Sequence, residues 1–283
     1  MSKLKAIWEL LRLEHGFMYA FGVVIGMVVV ARLSFNPMHM FFGVLTAIFL
    51  QASAFALNDY FDYEVDLANK RIDRPLVRGE LSRKTALILS IILFPIGIFF
   101  AYLINLQAFI LALIISILGL LYDFKLKEFG VAGNIYIGFT MCAPFIFGGV
   151  IAGDIGLVTA VLSLMAFLSG VAREIMKGIE DVEGDSLRDV KTVARTKGID
   201  VAGRISAALF LISVVISPIP FLFINEFFLD LKYLIPVLFT DIILIKIAHN
   251  LLRGARREDI SKYRKQSLLA MALGLVGFLV GAF

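Results

Sequence analysis

Nine times along the chain the residues turn apolar for long enough to cross a bilayer. The runs lie near residues 16–31, 38–57, 85–103, 107–122, 132–152, 156–172, 205–224, 233–251 and 267–283, each close to the roughly 20 residues an α-helix needs to span hydrocarbon. Barrel strands would alternate polar and apolar positions, and an open sheet edge cannot face lipid, so the runs are read as helices. The expected fold is therefore all-α: a polytopic membrane protein of about nine transmembrane helices, one domain over residues 1–283. Composition agrees, with 60% apolar residues, 18% charged and a mean hydropathy of +0.90. Five of the seven prolines (Pro95, Pro144, Pro218, Pro220, Pro236) fall in or at the ends of the runs, where each removes a helix hydrogen bond and predicts a bend.

Charge orients the bundle. With nine spans, the N-terminus and every second loop share one side, and 24 of the 27 Lys and Arg residues fall there; Arg32 and Lys232 lie on the other side and Lys246 within a span. Cytoplasmic loops keep the basic residues, so the expected location is the cell membrane with these loops cytoplasmic. The first 15 residues carry Lys3, Lys5, Glu9, Arg12 and Glu14 and do not read as a removable signal peptide. Leu4, Ile7, Trp8 and Leu11 fall at helical spacing, which predicts a short helix on the membrane surface. Cys142 is the only cysteine, excluding disulfides and thiolate metal clusters within one chain.

The acidic residues crowd onto the basic side. In NDYFDYEVD, residues 58–66, Asn58, Asp62 and Asp66 recur every four residues and share one face if the second helix continues past the membrane surface, with Asp59 beside it. In KGIEDVEGD, residues 177–185, Asp181 and Asp185 are again four apart, flanked by Glu180 and Glu183. Charged loops of membrane proteins are often merely solvated, but two loops with the same spacing on the same side point to a shared site. Mg²⁺ takes one or two carboxylates and completes its octahedron with water and phosphate oxygens. Arg71, Arg74 and Arg78 follow the first cluster and Lys177, Arg188 and Lys191 bracket the second, suited to phosphate. Nothing calls for nucleic acid. A channel or transporter for divalent cations is the non-enzyme alternative, but it would place ionisable groups near the midplane, where only the eighth run offers Asp241, Lys246 and His249.

NDYFDYEVD with the trailing DRPLVRG (73–79), KGIEDVEGD, and YDFKLKEFGVAGN (122–134) between them resemble the motifs and the intervening loop of the UbiA superfamily of intramembrane prenyltransferases. The resemblance implies a bundle around a central cavity and Mg²⁺ held against an isoprenyl diphosphate by Asn58, Asp62, Asp66, Asp181 and Asp185. Arg12, Arg74 and Lys127 match phosphate-binding positions, and Tyr122 and Asn134 lie in the matching loop, though Asn134 is equally a candidate helix cap. The chain departs from the pattern at Gly178, where many relatives carry Asp; Glu180 is the nearest substitute. The chemistry so implied is ionisation of an allylic diphosphate in a dry cavity, the cation then meeting a nucleophile.

The acceptor is either lipid-like or aromatic. KGIEDVEGD and the compact chain are most similar to the archaeal ether-lipid branch of the family, which moves a geranylgeranyl group from its diphosphate to the glycerol hydroxyl of geranylgeranylglyceryl phosphate. Other members prenylate aromatic quinone precursors with the same diphosphate motifs. A phosphate-bearing acceptor needs further cations, for which Arg12, Lys3 and Lys5 are the candidates. As general base, His15, Asp62 and Asp66 are all open. A CDP-alcohol phosphotransferase would need a different Asp-Gly and Ala-Arg signature within one helix, and no such run is present.

Overall fold

The computed structural model describes residues 3–125, 129–182 and 191–283. It contains helices and no strand among those residues. In chain order they are α1 (Lys3–Leu11), α2 (Leu13–Ala31), α3 (Pro37–Ala68), α4 (Arg83–Ile104), α5 (Leu106–Phe124), α6 (Gly130–Ala152), α7 (Leu157–Glu180), α8 (Val193–Lys197), α9 (Ile199–Ile216), α10 (Ile219–Phe223), α11 (Leu231–Leu252) and α12 (Arg257–Gly281). Eight segments are long and apolar enough to cross a membrane: α2, α3, α4, α5, α6, α7, the α9–α10 pair and α12. With the 22-residue α11 these correspond one for one to the nine expected runs. The protein is a multi-pass membrane protein.

Local signals set the helix ends. Asn36 accepts from the Met38 amide with Pro37 in the first turn, Ser82 from Thr85, Asn105 from Ala108 and Asp230 from Lys232; each short polar side chain satisfies an amide that the helix start leaves open. Asn105 is also the whole connection between α4 and α5, so these two form a tight antiparallel pair. Arg12, with left-handed backbone (φ 44°), divides α1 from α2. Helix α1 buries Ala6, Leu10 and Leu11 against α3 and leaves Leu4 and Trp8 exposed, as a surface helix would.

Neighbours in sequence pack as neighbours in space through α3, α4, α5, α6 and α7, then α9, α11 and α12, and α2 closes the ring against both α12 and α3. Helix α2 also crosses α6 closely. A Cβ on Gly26 would lie 2.9 Å from the Cα of Phe145, and one on Gly148 would lie 2.8 Å from the Met27 amide nitrogen. Between lipid-bathed helices, where water exclusion provides no drive, such backbone approach supplies the packing.

The prolines sit differently from one helix to another. Pro95, Pro144 and Pro236 lie inside unbroken helices, whereas the seventh expected run is divided at Ser217–Pro218 into α9 and α10. Helix α11 closes that division: the Tyr233 hydroxyl donates to the Ser217 carbonyl at 2.7 Å, and Ser217 Oγ lies 2.6 Å from Asp241 Oδ2. Neighbouring side chains thus re-satisfy groups the break would strand. Asp241 is buried, while Lys246 and His249 are exposed.

Candidate active site

Helix α3 has 32 residues, about 48 Å at 1.5 Å per residue, well beyond the roughly 30 Å of hydrocarbon. Its last turns therefore stand clear of the apolar layer and carry Asn58, Asp59, Asp62 and Asp66. The four-residue spacing does what it predicts: Asn58 Nδ2 donates to Asp62 Oδ2 at 3.1 Å. The same nitrogen donates to Asp123 Oδ1 at 2.9 Å, a buried carboxylate at the end of α5. An amide nitrogen has two protons; with both engaged, the Asn58 carbonyl oxygen is the atom presented as a ligand.

Two arginines close on this face. Arg12 donates to Asp59 Oδ1 at 2.5 Å and lies over the Phe55 ring at 4.2 Å. Arg74 lies 3.9 Å from Asp59, 3.6 Å from Asp66 and 3.7 Å from Asp73. The turn 69–82 folds back on α3 because Leu76 inserts among Leu10, Ala52, Ala56 and Ala86 and the Arg71 amide bonds the Asp66 carbonyl. Burial lowers the Arg12 pKa, partly offset by Asp59; the group stays cationic, since an arginine does not titrate in the working range.

The other expected phosphate partners are engaged elsewhere. Arg71 forms a two-pronged pair with Asp73 at 2.9 and 2.8 Å and holds that carboxyl's pKa down at about 2. Arg78 bridges Glu9 of α1 and Glu80, fastening the surface helix to the turn. Lys177 lies 3.9 Å from Glu174, one turn back on α7, and Lys191 is exposed.

Tyr122 stacks on Tyr136 with ring centres 4.4 Å apart, and its hydroxyl lies in the field of Glu174, Asp123 and Asp62, so α7 faces the α3 cluster across this ring. Asn134 is the fifth residue of α6, whose cap is Phe129, which removes its reading as a cap. Asp181 is exposed at the C-terminal cap of α7, its amide bonded to the Lys177 carbonyl. Lys127, Glu183, Asp185 and Arg188 lie outside the described residues.

At Gly178, where the chain departs from the pattern, α7 packs against Thr192: a Cβ there would lie in ordinary contact with Thr192 Cβ at 3.4 Å. Glu180 is no substitute, because it turns away to Arg264 at 2.5 Å, while its carbonyl accepts from Arg257. Thr192 also passes 2.7 Å from where a Cβ on Gly130 would stand, bringing the segments after α5 and after α7 together at the start of α6.

The donor set of this face is all hard oxygen, as Mg²⁺ prefers, and Asp59 Oδ2 is buried without a hydrogen-bond partner. Among the described residues no group of three or more His, Cys, Asp and Glu side chains converges as a complete metal cage. That fits an ion held by few carboxylates and completed by substrate oxygens. Asp123, although it stands in the YDFKLKEFGVAGN stretch, and Glu174, just past the run 156–172, were not singled out in the sequence because neither belongs to a four-residue carboxylate pattern; packing brings Asp123 to Asn58.

Residues 19–281 match the model of the UbiA prenyltransferase family. The chain is 60% identical to a digeranylgeranylglyceryl phosphate synthase of Archaeoglobus fulgidus, over 99% of this chain and 96% of that protein. It is 35% identical to one from Sulfurisphaera tokodaii, over 95% and 98%. A solved structure from work on digeranylgeranylglyceryl phosphate synthase in membranes superposes with a TM-score of 0.87 at 31% identity, covering 100% of this chain and 99% of that one. A UbiA homologue from Archaeoglobus fulgidus bound to DMAPP and Mg²⁺ shares the fold, with a TM-score of 0.67 at 22% identity over 97% and 99%. By the extent of these matches and by its fold, this chain belongs to the UbiA prenyltransferase family.

Proposed function

We propose that the protein transfers the geranylgeranyl group of geranylgeranyl diphosphate to the glycerol hydroxyl of geranylgeranylglyceryl phosphate, an ether-lipid-forming step at the cytoplasmic face of the cell membrane, the whole chain acting as one unit. The observation that carries this reading is the 60% identity, sustained over 99% of the chain, to a digeranylgeranylglyceryl phosphate synthase.

In this reading the allylic carbon–oxygen bond breaks, diphosphate leaves with the electron pair, the glycerol oxygen bonds the allylic carbon and the hydroxyl proton is lost. When bound, Mg²⁺ supplies the positive charge that neutralises the departing diphosphate. The Asn58 carbonyl oxygen, Asp62 and Asp66 would hold it on α3, with Asp181 and Asp185 on the facing segment. Arg74 and Arg12 stand beside them as cations for the diphosphate oxygens, with Lys127, Lys177 and Lys191 on the later loops and Arg71 after releasing Asp73. The stacked Tyr122 and Tyr136 wall the reacting end from water, which would otherwise quench the cation, and Asn134, in the first turns of α6, is the further polar group of that loop. The apolar helices shelter the two prenyl chains.

The test is product mass spectrometry: purified protein, Mg²⁺ and geranylgeranyl diphosphate offered geranylgeranylglyceryl phosphate beside an aromatic acid. The digeranylgeranyl ether is the expected product. A prenylated aromatic acid alone would replace this reading with the quinone-precursor one, and cation flux through vesicles without turnover would replace it with a transporter.

A further inference from the structure

Arg173 is unlike the arginines of the acidic face. Arg12, Arg71, Arg74, Arg78 and Arg83 each lie within ion-pair distance of a carboxylate. Arg173, on α7, is partly buried, and among the described residues its one polar contact is Nε donating to Ser267 Oγ of α12 at 3.2 Å. Ser267 is fully buried and spends its own proton on the Arg264 carbonyl at 2.9 Å, so its oxygen can only accept, which fixes the direction of the guanidinium. The charges that reach Arg173 are Glu174, attractive, and Arg264, repulsive. Both have opposite partners of their own: Glu174 has Lys177 at 3.9 Å and Arg264 has Glu180 at 2.5 Å.

A guanidinium cannot shed its proton, and Arg173, partly buried just past the apolar run 156–172 on the end of α7 that carries Asp181, keeps its charge with no carboxylate bonded to it among the described residues. Two arginines in reach of one another, one lacking a carboxylate, make a place for an anion with planar, multi-oxygen geometry. Arg173 precedes Asp181 by eight residues on the α7 face chain, about 12 Å along the axis and about 80° around it. An anion here is therefore separate from a diphosphate held at the two Asp-rich segments, yet within the span of one small polar headgroup. Of the cations first considered for a phosphate-bearing acceptor, Arg12 stands at the α3 cluster, paired with Asp59, and Lys3 and Lys5 are exposed on the surface helix α1.

We propose that Arg173, aimed by Ser267 and reinforced by the charge of Arg264, binds the phosphate of the acceptor, and so makes the enzyme select a phosphorylated glycerol ether over its free alcohol. This rests on the proposed function above and names the subsite that distinguishes a lipid-phosphate acceptor from an aromatic one.

The test compares wild type with Arg173→Gln in steady-state kinetics, using geranylgeranyl diphosphate, Mg²⁺ and two acceptors: geranylgeranylglyceryl phosphate and the same ether alcohol without phosphate. Wild type should prefer the phosphate ester. In the variant, KM for that ester should rise about ten- to a hundredfold, the size of one lost charge-assisted contact, with the donor KM and turnover of the free alcohol unchanged. Preserved preference in the variant would overturn the proposal. Equal losses with both acceptors, reversed by added anionic phospholipid, would also overturn it and assign Arg173 to a structural lipid headgroup. Should the variant fold poorly, phenylglyoxal labelling of wild-type Arg173, read by peptide mass spectrometry, decides. The phosphate ester should protect it and the free alcohol should not; equal or absent protection overturns the proposal. Wild type that prenylates only an aromatic acid would remove the underlying reading instead.

Discussion

Asn58 shows how a single residue is assigned its task by its partners. Both amide protons are committed, to Asp62 and Asp123, so its orientation toward the site is set before any ligand arrives. Asp62 is half-buried in the last turns of α3, outside the apolar part of the span, and accepts from Asn58 at 3.1 Å. Asp62→Ala should abolish transfer with the melting temperature within a few degrees of wild type, and Asp181→Ala, at an exposed cap, should do the same. Retention of near wild-type turnover and unchanged Mg²⁺ dependence in Asp181→Ala would remove the second segment from the site. Arg74 carries a different burden, reaching Asp59, Asp66 and Asp73 at 3.6 to 3.9 Å without a close bond to any, a posture that leaves it able to turn to a diphosphate. Arg74→Ala should raise the donor KM, losing roughly 1.5–3 kcal/mol or about ten- to a hundredfold in kcat/KM at low donor. Equal rates at low donor concentration would take it out of the site.

Among the elements, the broken seventh span shows how side chains repair a backbone. Residues 217–218 interrupt the α9–α10 path, and Tyr233 and Asp241 of α11 reach across to Ser217. Asp241 and Lys246, five residues apart, point away from one another on an ideal helix, while His249, three past Lys246, shares its face; the structure buries the aspartate and exposes the other two, the long lysine stem letting its head reach a polar layer. Asp241→Asn keeps a polar partner for Ser217 and should retain most activity. Asp241→Leu removes that bond and leaves the Ser217 hydroxyl only the Val214 carbonyl at 2.9 Å, at a cost of about 0.5–1.5 kcal/mol, and should lower thermal stability in detergent. Loss of turnover in a well-folded Asp241→Asn protein would place the carboxylate in the chemistry.

At the scale of the whole molecule, the excess of Lys and Arg on one side of the spans predicts the orientation, and the proposed site lies toward that side. Cys142, the only cysteine, is buried, so the wild-type chain is a quiet background for thiol labelling. Lys84→Cys and Ser34→Cys place exposed thiols on opposite sides of the bundle. In sealed right-side-out vesicles, a membrane-impermeant maleimide should label the Ser34 variant and spare the Lys84 variant until the membrane is opened. The reverse pattern would invert the orientation and put the proposed active face outside the cytoplasm.

Span positions and the grouping of Asn58, Asp62 and Asp66 at the end of α3 were legible in the residues because each depends on near neighbours: a helix in lipid must be about 20 residues of apolar chain, and side chains four apart on it share a face. Tyr122 is marked only by the family resemblance. Local logic also reaches Arg74, which follows the first cluster and lies against Asp59 and Asp66. It failed wherever a role is conferred across the bundle. Nothing near Asp123 in the sequence announces that it will bond Asn58, 65 residues earlier, or that Glu180 will be drawn off to Arg264, 84 residues later. Apolar patterning decides which residues may enter the membrane, but a partner for a charge is decided by helix packing, since a pair interaction strengthens only when both groups leave water together.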